Sequence, residues 1–158
     1  MTESPLPTLT ERKASMNDVP GIFRLIGFWA DQRQMLPKSL HQICHAIREF
    51  WVSEEGGEVI GCAALRIYTQ RLAEICSLAV APGHQGRGIG QRLVQRCLEE
   101  ARELGITRVF GLTYQVAFFE RLGFQVTPMD ILPEKVWRDC ASCPFLDNCN
   151  ETAVIIDL

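Results

Sequence analysis

Gly83, Gly86, Gly88 and Gly90 fall within eight positions of the segment APGHQGRGIG. An apolar run, LAEICSLAV, precedes them and an amphipathic stretch, QRLVQRCLEEAREL, follows. Glycines at that density between a buried strand and a helix start allow successive backbone N–H groups to converge on an anion, phosphate above all. A second chemical group lies in the preceding run, where Glu74 is the one charge among apolar and small residues. Partial burial raises a carboxylate's pKa toward the range of a general base, provided that it faces a polar cavity. The competing reading puts Glu74 at an exposed strand start, paired with Arg66 or Arg71. A third group is Cys140, Cys143 and Cys149, spaced Cys-x2-Cys-x5-Cys. Three thiolates suit zinc or an iron–sulfur cluster, with Asp139, Asp147 or a histidine completing the shell. A fourth cysteine is missing nearby, so free thiols are the preferred reading and no metal is assigned.

These groups must be positioned by a chain of 158 residues, enough for one domain and too short for two comfortable ones. We therefore expect a single domain over residues 1–158, with 128–150 a cysteine-containing extension before a last strand. The net charge of −3 comes without a basic block, which argues against a nucleic-acid partner. No apolar run is long enough to span a bilayer, so no membrane partner is expected either. The start, MTESPLPTLTERK, lacks a basic segment followed by an apolar core, and a cytoplasmic location is the expectation. Cys44, Cys62, Cys76 and Cys97 sit singly in apolar-periodic segments and read as small buried hydrophobes.

The periodicity predicts a strand around Thr8–Ser15, then a helix carrying Ile22, Leu25, Ile26 and Trp29 on one face, with Pro20 in its first turn. Pro37 ends that pattern. Ser39 can cap a second helix with Leu40, Ile43, Cys44 and Ile47 as its apolar face. Phe50–Val52 and Val59–Tyr68 then read as a hairpin about Glu55-Gly56-Gly57, the second strand being apolar on both faces and hence central in a sheet. Leu72–Val80 repeats that pattern. After the glycine turn, Ile89, Leu93, Val94, Cys97, Leu98, Ala101 and Leu104 form one helical stripe, stopped by Gly105. A strand at Arg108–Thr113, a short helix at Gln115–Leu122, and strands at Phe124–Thr127 and Thr152–Ile156 complete the chain.

Three phosphate-binding loops compete for the turn. A P-loop requires Lys-Ser or Lys-Thr at its end, where Gln91 and Arg92 stand. A dinucleotide fingerprint requires Gly-x-Gly-x-x-Gly, and Gly86-Arg87-Gly88-Ile89-Gly90 has the last spacing wrong. The segment Gln85-Gly86-Arg87-Gly88-Ile89-Gly90 is similar to the Gln/Arg-x-x-Gly-x-Gly/Ala loop of the GNAT acetyltransferases. The element order from residue 8 to residue 127 resembles the same family. EFWVSEEGGEVIGCAAL, LAEICSLAV, RVFGLTYQVAFFERLGF and DILP resemble the acetyltransferase domain of bacterial N-acetylglutamate synthases, and MLPKSL and KVWRDCxxCP resemble its short, stand-alone members. The resemblance implies an α/β (α+β) GNAT fold: a central mixed, mostly antiparallel β-sheet flanked by helices on both faces. It also implies acetyl-CoA as co-substrate and acetyl transfer to the α-amine of L-glutamate. Long forms carry an amino-acid-kinase-like domain ahead of this unit. With no residues here to build one, arginine feedback in cis is not expected.

By that resemblance Gln85, Gly86, Arg87, Gly88, Ile89 and Gly90 hold the cofactor pyrophosphate. The backbone of Leu78, Ala79 and Val80 holds the pantetheine arm and the thioester oxygen. Glu74 is the candidate base, acting through water. Many members have a tyrosine on the short helix that protonates the leaving thiolate; here Phe119 occupies that cofactor-side position and cannot donate, which leaves the acid unassigned. Tyr114 and Tyr68 are poor substitutes by position. A glutamate acceptor carries two carboxylates and requires cations; Lys38 and Arg66 are the candidates, ahead of Arg33, Arg71, Lys135 and Arg138. Thr113, at a strand end, is a further substrate-side candidate. Each of these residues also has a plain reading as a surface charge or strand residue. Two other functions stay open, a GNAT enzyme for another amine and a non-catalytic acyl-CoA-binding regulator. The last strand offers a route to a homodimer.

Overall fold

The computed structural model describes residues 8–131 and 151–158. Lys135, Arg138 and the Cys140, Cys143 and Cys149 group, with Asp139 and Asp147, lie outside the described residues. In chain order the elements are β1 (Leu9–Lys13), α1 (Val19–Asp31), α2 (Leu40–His45), β2 (Phe50–Glu55), β3 (Glu58–Ile67) and β4 (Leu72–Val80). There follow α3 (Ile89–Glu103), β5 (Arg108–Thr113), α4 (Val116–Arg121), β6 (Gln125–Thr127) and β7 (Thr152–Asp157). These strands form one mixed sheet in the order β1-β2-β3-β4-β5-β7-β6. The β4–β5 pair is parallel, and β1–β2, β2–β3, β5–β7 and β6–β7 are antiparallel. Contacts gather the chain into two units, one formed by residues up to Arg66 with Ile75–Glu100, the other by Ile67–Glu74 with the chain from Ala101 onward.

In the first unit, α1 buries Ile22, Leu25 and Ile26 together with Ile43 of α2 and Phe50, Val52, Cys62 and Ala64 of β2 and β3. Pro20 sits in the first turn of α1, where its missing N–H has no partner to lose. The helix ends at Asp31, well before Pro37, because Arg33 turns left-handed (φ 58°) with its N–H on the Ala30 carbonyl. Ser39 caps α2 as expected: its Oγ accepts from Gln42 N–H at 3.1 Å, and Gln42 Oε1 accepts from Ser39 N–H at 2.8 Å. Of the four apolar residues assigned to that helix face, Ile43 is fully buried, Leu40 is exposed, and Ile47 falls in a 3-10 turn beyond the helix.

β3 is buried on both faces from Ile60 to Leu65, as a central strand requires. Gly61 lies in this stretch, and a Cβ there would come within 2.8 Å of Ile89 Cγ2 and 3.0 Å of Leu93 Cδ1. The absent side chain lets the first turn of α3 settle on the strand.

In the second unit, the end of α3 closes as a Schellman motif. Ile106 N–H reaches the Ala101 carbonyl (2.9 Å) and Gly105 N–H the Arg102 carbonyl (3.1 Å). Leu104, counted with the α3 stripe from sequence, lies past the helix end and is 59% exposed. β7 pairs along its length with β5, from Arg108↔Asp157 to Thr113↔Thr152, and on its other side with β6 at Gln125↔Ile155 to Thr127↔Ala153. Both of its edges are therefore hydrogen-bonded within the chain. This leaves β7 little free edge for the pairing across a dimer that the sequence allows, β5 flanking its full length and β6 covering Ala153–Ile155.

Candidate active site

The glycine turn adopts the geometry that its composition predicts. Gly86 and Gly88 are left-handed (φ 80° and 77°), alternating with residues that are not, and a Cβ at either would meet nothing within 4 Å. Such alternation curls the N–H groups into a concavity that suits an anion. The first helical bond of α3 runs from Arg92 N–H to the Gly88 carbonyl. The N–H groups of Ile89, Gly90 and Gln91 are therefore the helix-start donors without an intrahelical acceptor. Open space, left-handed glycines and a helix start of fifteen residues fit a pyrophosphate. Gln85, Gly86, Arg87 and Gly88 are exposed, while the Ile89 side chain is buried and anchors the turn.

Arg87 brings a feature that the motif did not show. Its guanidinium pairs with Glu55 (Nη1–Oε1 3.2 Å, Nη2–Oε2 2.5 Å) and contacts His84 Nδ1 at 2.8 Å. The guanidinium holds the Glu55 carboxyl below its usual range. The backbone thus forms the cradle while the Arg87 side chain is engaged at the end of β2.

Leu78, Ala79 and Val80 close β4 beside a backbone irregularity, Ser77, which is left-handed within a strand (φ 55°). The Ser77 carbonyl accepts the Cys62 thiol at 3.4 Å, Ala81 N–H reaches the Ile60 carbonyl at 2.8 Å, and the Val80 carbonyl accepts Trp29 Nε1 at 2.8 Å. Since Ala81 N–H is directed at β3, strand alternation turns the N–H groups of Val80 and Leu78 to the opposite edge. Burial pushes the Cys62 thiol up to about 12, which makes it an inert filler.

Glu74 is buried, 9% exposed, which removes the reading that put it at an exposed strand start. Tyr68 Oη donates to Glu74 Oε1 at 2.9 Å. Position along the chain makes Tyr68 a poor candidate for the site; the contact follows from hairpin register, which composition does not reveal.

Lys38 and Arg66, the two cations chosen for an acceptor's carboxylates, line one pocket of about 410 Å³. His41, Gln42, His45, Ala46 and Glu49 complete its wall. Arg66 Nε lies 3.8 Å from Glu49 Oε1, and the rings of His41 and His45 stack edge-on with centroids 4.4 Å apart. The histidines were missed, although their spacing on α2 places them on one helix face. Thr113 is buried, and its Oγ1 accepts Gln115 N–H at 2.7 Å, closing the turn into α4. Phe119 is 4% exposed and packs edge-to-face on Phe118 and Phe124, with centroids 5.1 Å apart in each pair. Among the described residues no helix is long and apolar enough to cross a membrane.

Comparison with known proteins agrees with this geometry. The profile of the acetyltransferase (GNAT) family matches residues 17–124. An uncharacterised N-acetyltransferase of Chlorobaculum tepidum is 39% identical over 144 residues, covering 91% of this chain and 93% of that protein. An amino-acid acetyltransferase of Mycobacterium tuberculosis is 42% identical over 116 residues, covering 72% of this chain and 66% of that one. Among solved structures, N-acetylglutamate synthase from Neisseria gonorrhoeae, complexed with coenzyme A and N-acetyl-glutamate, superposes with a TM-score of 0.87 at 32% identity. It covers 99% of this chain, which spans 36% of the gonococcal one. With a family profile over most of its length and a relative 39% identical over 91% of it, this chain belongs to the acetyltransferase (GNAT) family.

Proposed function

We propose that the protein transfers the acetyl group of acetyl-CoA to the α-amine of L-glutamate, the first step of arginine biosynthesis. The observation that carries this reading is the pocket in which Lys38 and Arg66 stand together. Two cations suit an acceptor with two carboxylates. The amino-acid acetyltransferase and N-acetylglutamate synthase names among the relatives support an amino acid as acceptor.

Acetyl-CoA supplies an activated thioester carbonyl. The protein's own groups do the rest. The N–H groups of the Gly86–Gly90 turn hold the pyrophosphate, and the N–H groups of Leu78 and Val80 polarise the carbonyl oxygen. Lys38 and Arg66 orient the acceptor by its carboxylates. Glu74 takes the ammonium proton through water so that the amine is nucleophilic. Since Phe119 has no proton to give, the sulfur takes its proton, as the C–S bond breaks, from solvent or from the nitrogen that has just bonded to the carbonyl carbon.

The test is CoA release by the purified protein across a panel of amino acids that includes glutamate, glutamine and aspartate. Strong dependence on glutamate is the expected result. Preference for another amine overturns the substrate assignment. Tight acetyl-CoA binding without turnover for any amine overturns the catalytic reading.

A further inference from the structure

We infer that Tyr68 is a positioning residue for Glu74, holding the carboxylate in its ionised form and in one orientation. The inference rests on the reading of Glu74 as the base and adds a residue to it. Tyr68 follows directly after β3, and its N–H bonds the Leu72 carbonyl at 2.9 Å, so that Tyr68 and Leu72 face each other across the hairpin. The turn between them is held by Thr69, whose Oγ1 accepts Arg71 N–H (3.2 Å) and Leu72 N–H (3.1 Å). Glu74, two residues beyond Leu72, lies on the same face and diagonal to Tyr68. A diagonal neighbour is out of reach of a short side chain and within reach of an aromatic one. The phenol spans that gap, and its Oη donates to Glu74 Oε1 at 2.9 Å.

The ring is fixed from the other side. Phe110 of β5 stands opposite Glu74 in the parallel ladder and is fully buried. Its ring meets that of Tyr68 with centroids 5.5 Å apart at 45°. Leu72 packs against the same small core. A carboxylate beside Phe110 and Leu72 has lost most of its water, and a donor to its oxygen favours the charged form. Tyr68 is one such donor, and the Phe110 ring packs against it. A carboxylate that receives the proton of an ammonium must be ionised beforehand, and one fixed in orientation presents the same oxygen to the bridging water at each turnover.

The experiment compares Tyr68→Phe with the unchanged protein. Phenylalanine keeps the contact with Phe110 and deletes the hydroxyl alone. The expected result is a kcat lower by about tenfold, from the loss of a hydrogen bond to a charged group, with KM for acetyl-CoA unchanged. The acid limb of the kcat/KM profile should move to higher pH. Combined with Glu74→Gln, the change should cost nothing beyond Glu74→Gln alone, since the two residues act as one unit. The Glu74 carboxyl is also titrated directly by carbon NMR of labelled protein without substrate, and Tyr68→Phe should raise its midpoint. An unchanged midpoint or an unchanged rate profile overturns the inference. A raised midpoint in a protein that acetylates no amine sinks the catalytic role of the pair together with the acetyl-transfer reading. An unchanged midpoint in an active enzyme sinks Tyr68 alone.

Discussion

The indole Nε1 of Trp29 donates to the main-chain oxygen of Val80 at 2.8 Å, tying α1 to the last residue of β4. Val80 is the residue whose own N–H is read as a ligand for the acetyl-CoA arm, and the peptide that follows it, from Val80 to Ala81, is anchored by the Trp29 side chain. Trp29→Phe keeps most of the ring and removes the donor. The expected loss is about 1–2 kcal/mol in urea denaturation, the cost of a carbonyl left unpaired. Acetyl-CoA affinity measured by calorimetry should fall by about five- to thirtyfold, the same range of free energy. Lower stability with unchanged affinity would confine the bond to the fold.

Gly88 and Gly61 fail in opposite ways when given a methyl group. Gly88→Ala meets no neighbour within 4 Å but must hold a left-handed φ of 77°, at about 1–2 kcal/mol of strain. The turn should relax out of that conformation, and acetyl-CoA binding should weaken by at least tenfold, with little change in melting temperature. Gly61→Ala has no such conformational strain but overpacks the contact with Ile89 and Leu93. That should destabilise the fold by about 1–3 kcal/mol. Thermal melts and calorimetry on the pair separate the two effects.

Arg12 grips Asp18 with two hydrogen bonds, Nη1–Oδ2 at 2.7 Å and Nη2–Oδ1 at 2.9 Å, and Ser15 N–H adds a third at 2.7 Å. The guanidinium holds the Asp18 carboxyl below its usual range. A depressed folded-state pKa contributes stability that is present above the unfolded value, about 4, and is lost as pH falls through the folded value. Asp18→Asn should therefore cost about 2 kcal/mol at pH 7, since it removes one of the two carboxylates, Asp18 and Glu54, that neutralise a half-buried guanidinium. The gap between the two proteins should shrink in melts below about pH 4. A gap that is constant with pH would show that the carboxylate's charge contributes nothing.

Burial separates the four described cysteines. The Cys62 thiol is pushed up to about 12 and the Cys97 thiol is also raised by burial, whereas Cys44 and Cys76 are half-buried. At pH 8 a thiol with a pKa near 12 is thiolate in only about one molecule in ten thousand. Brief alkylation of the native protein, mapped by mass spectrometry, should mark Cys44 and Cys76 and leave Cys62 and Cys97 unmarked. Equal labelling would mean that the core around Cys62 under α1 and the packing around Cys97 of α3 both open readily.

Features that depend on neighbours along the chain are legible in the sequence itself. The β3 and β4 periods, the Ser39 cap and the Gly105 stop each follow from spacing alone, and the glycine-rich turn stands between strand and helix where its composition puts it. Features that depend on register are not. Nothing local marks Tyr68 as the partner of Glu74 or Glu55 as the partner of Arg87, because each contact crosses between strand and turn positions set by pairing. α1 stops at Asp31 through a left-handed Arg33, a residue type with no preference for that conformation, so Pro37 is the nearest visible signal. The placing of β7 between β5 and β6 is a matter of topology, which an apolar strand at the end of a chain leaves open. Lys38 stands in a loop that carries the resemblance and Arg66 on the hairpin-strand face that it shares with Tyr68; the histidines on α2 share a visible spacing but have no motif to point to them.

The close seating of Ile89 on Gly61 makes the binding loop non-portable. Transplanted by itself into another strand–turn–helix scaffold, the stretch from Gly83 to Gln91 would carry every N–H donor and still present them at the wrong height. A side chain on the neighbouring strand would act as a doorstop under the first turn of the helix. A graft has to bring two pieces distant in sequence, the loop and a bare position on the strand beneath it.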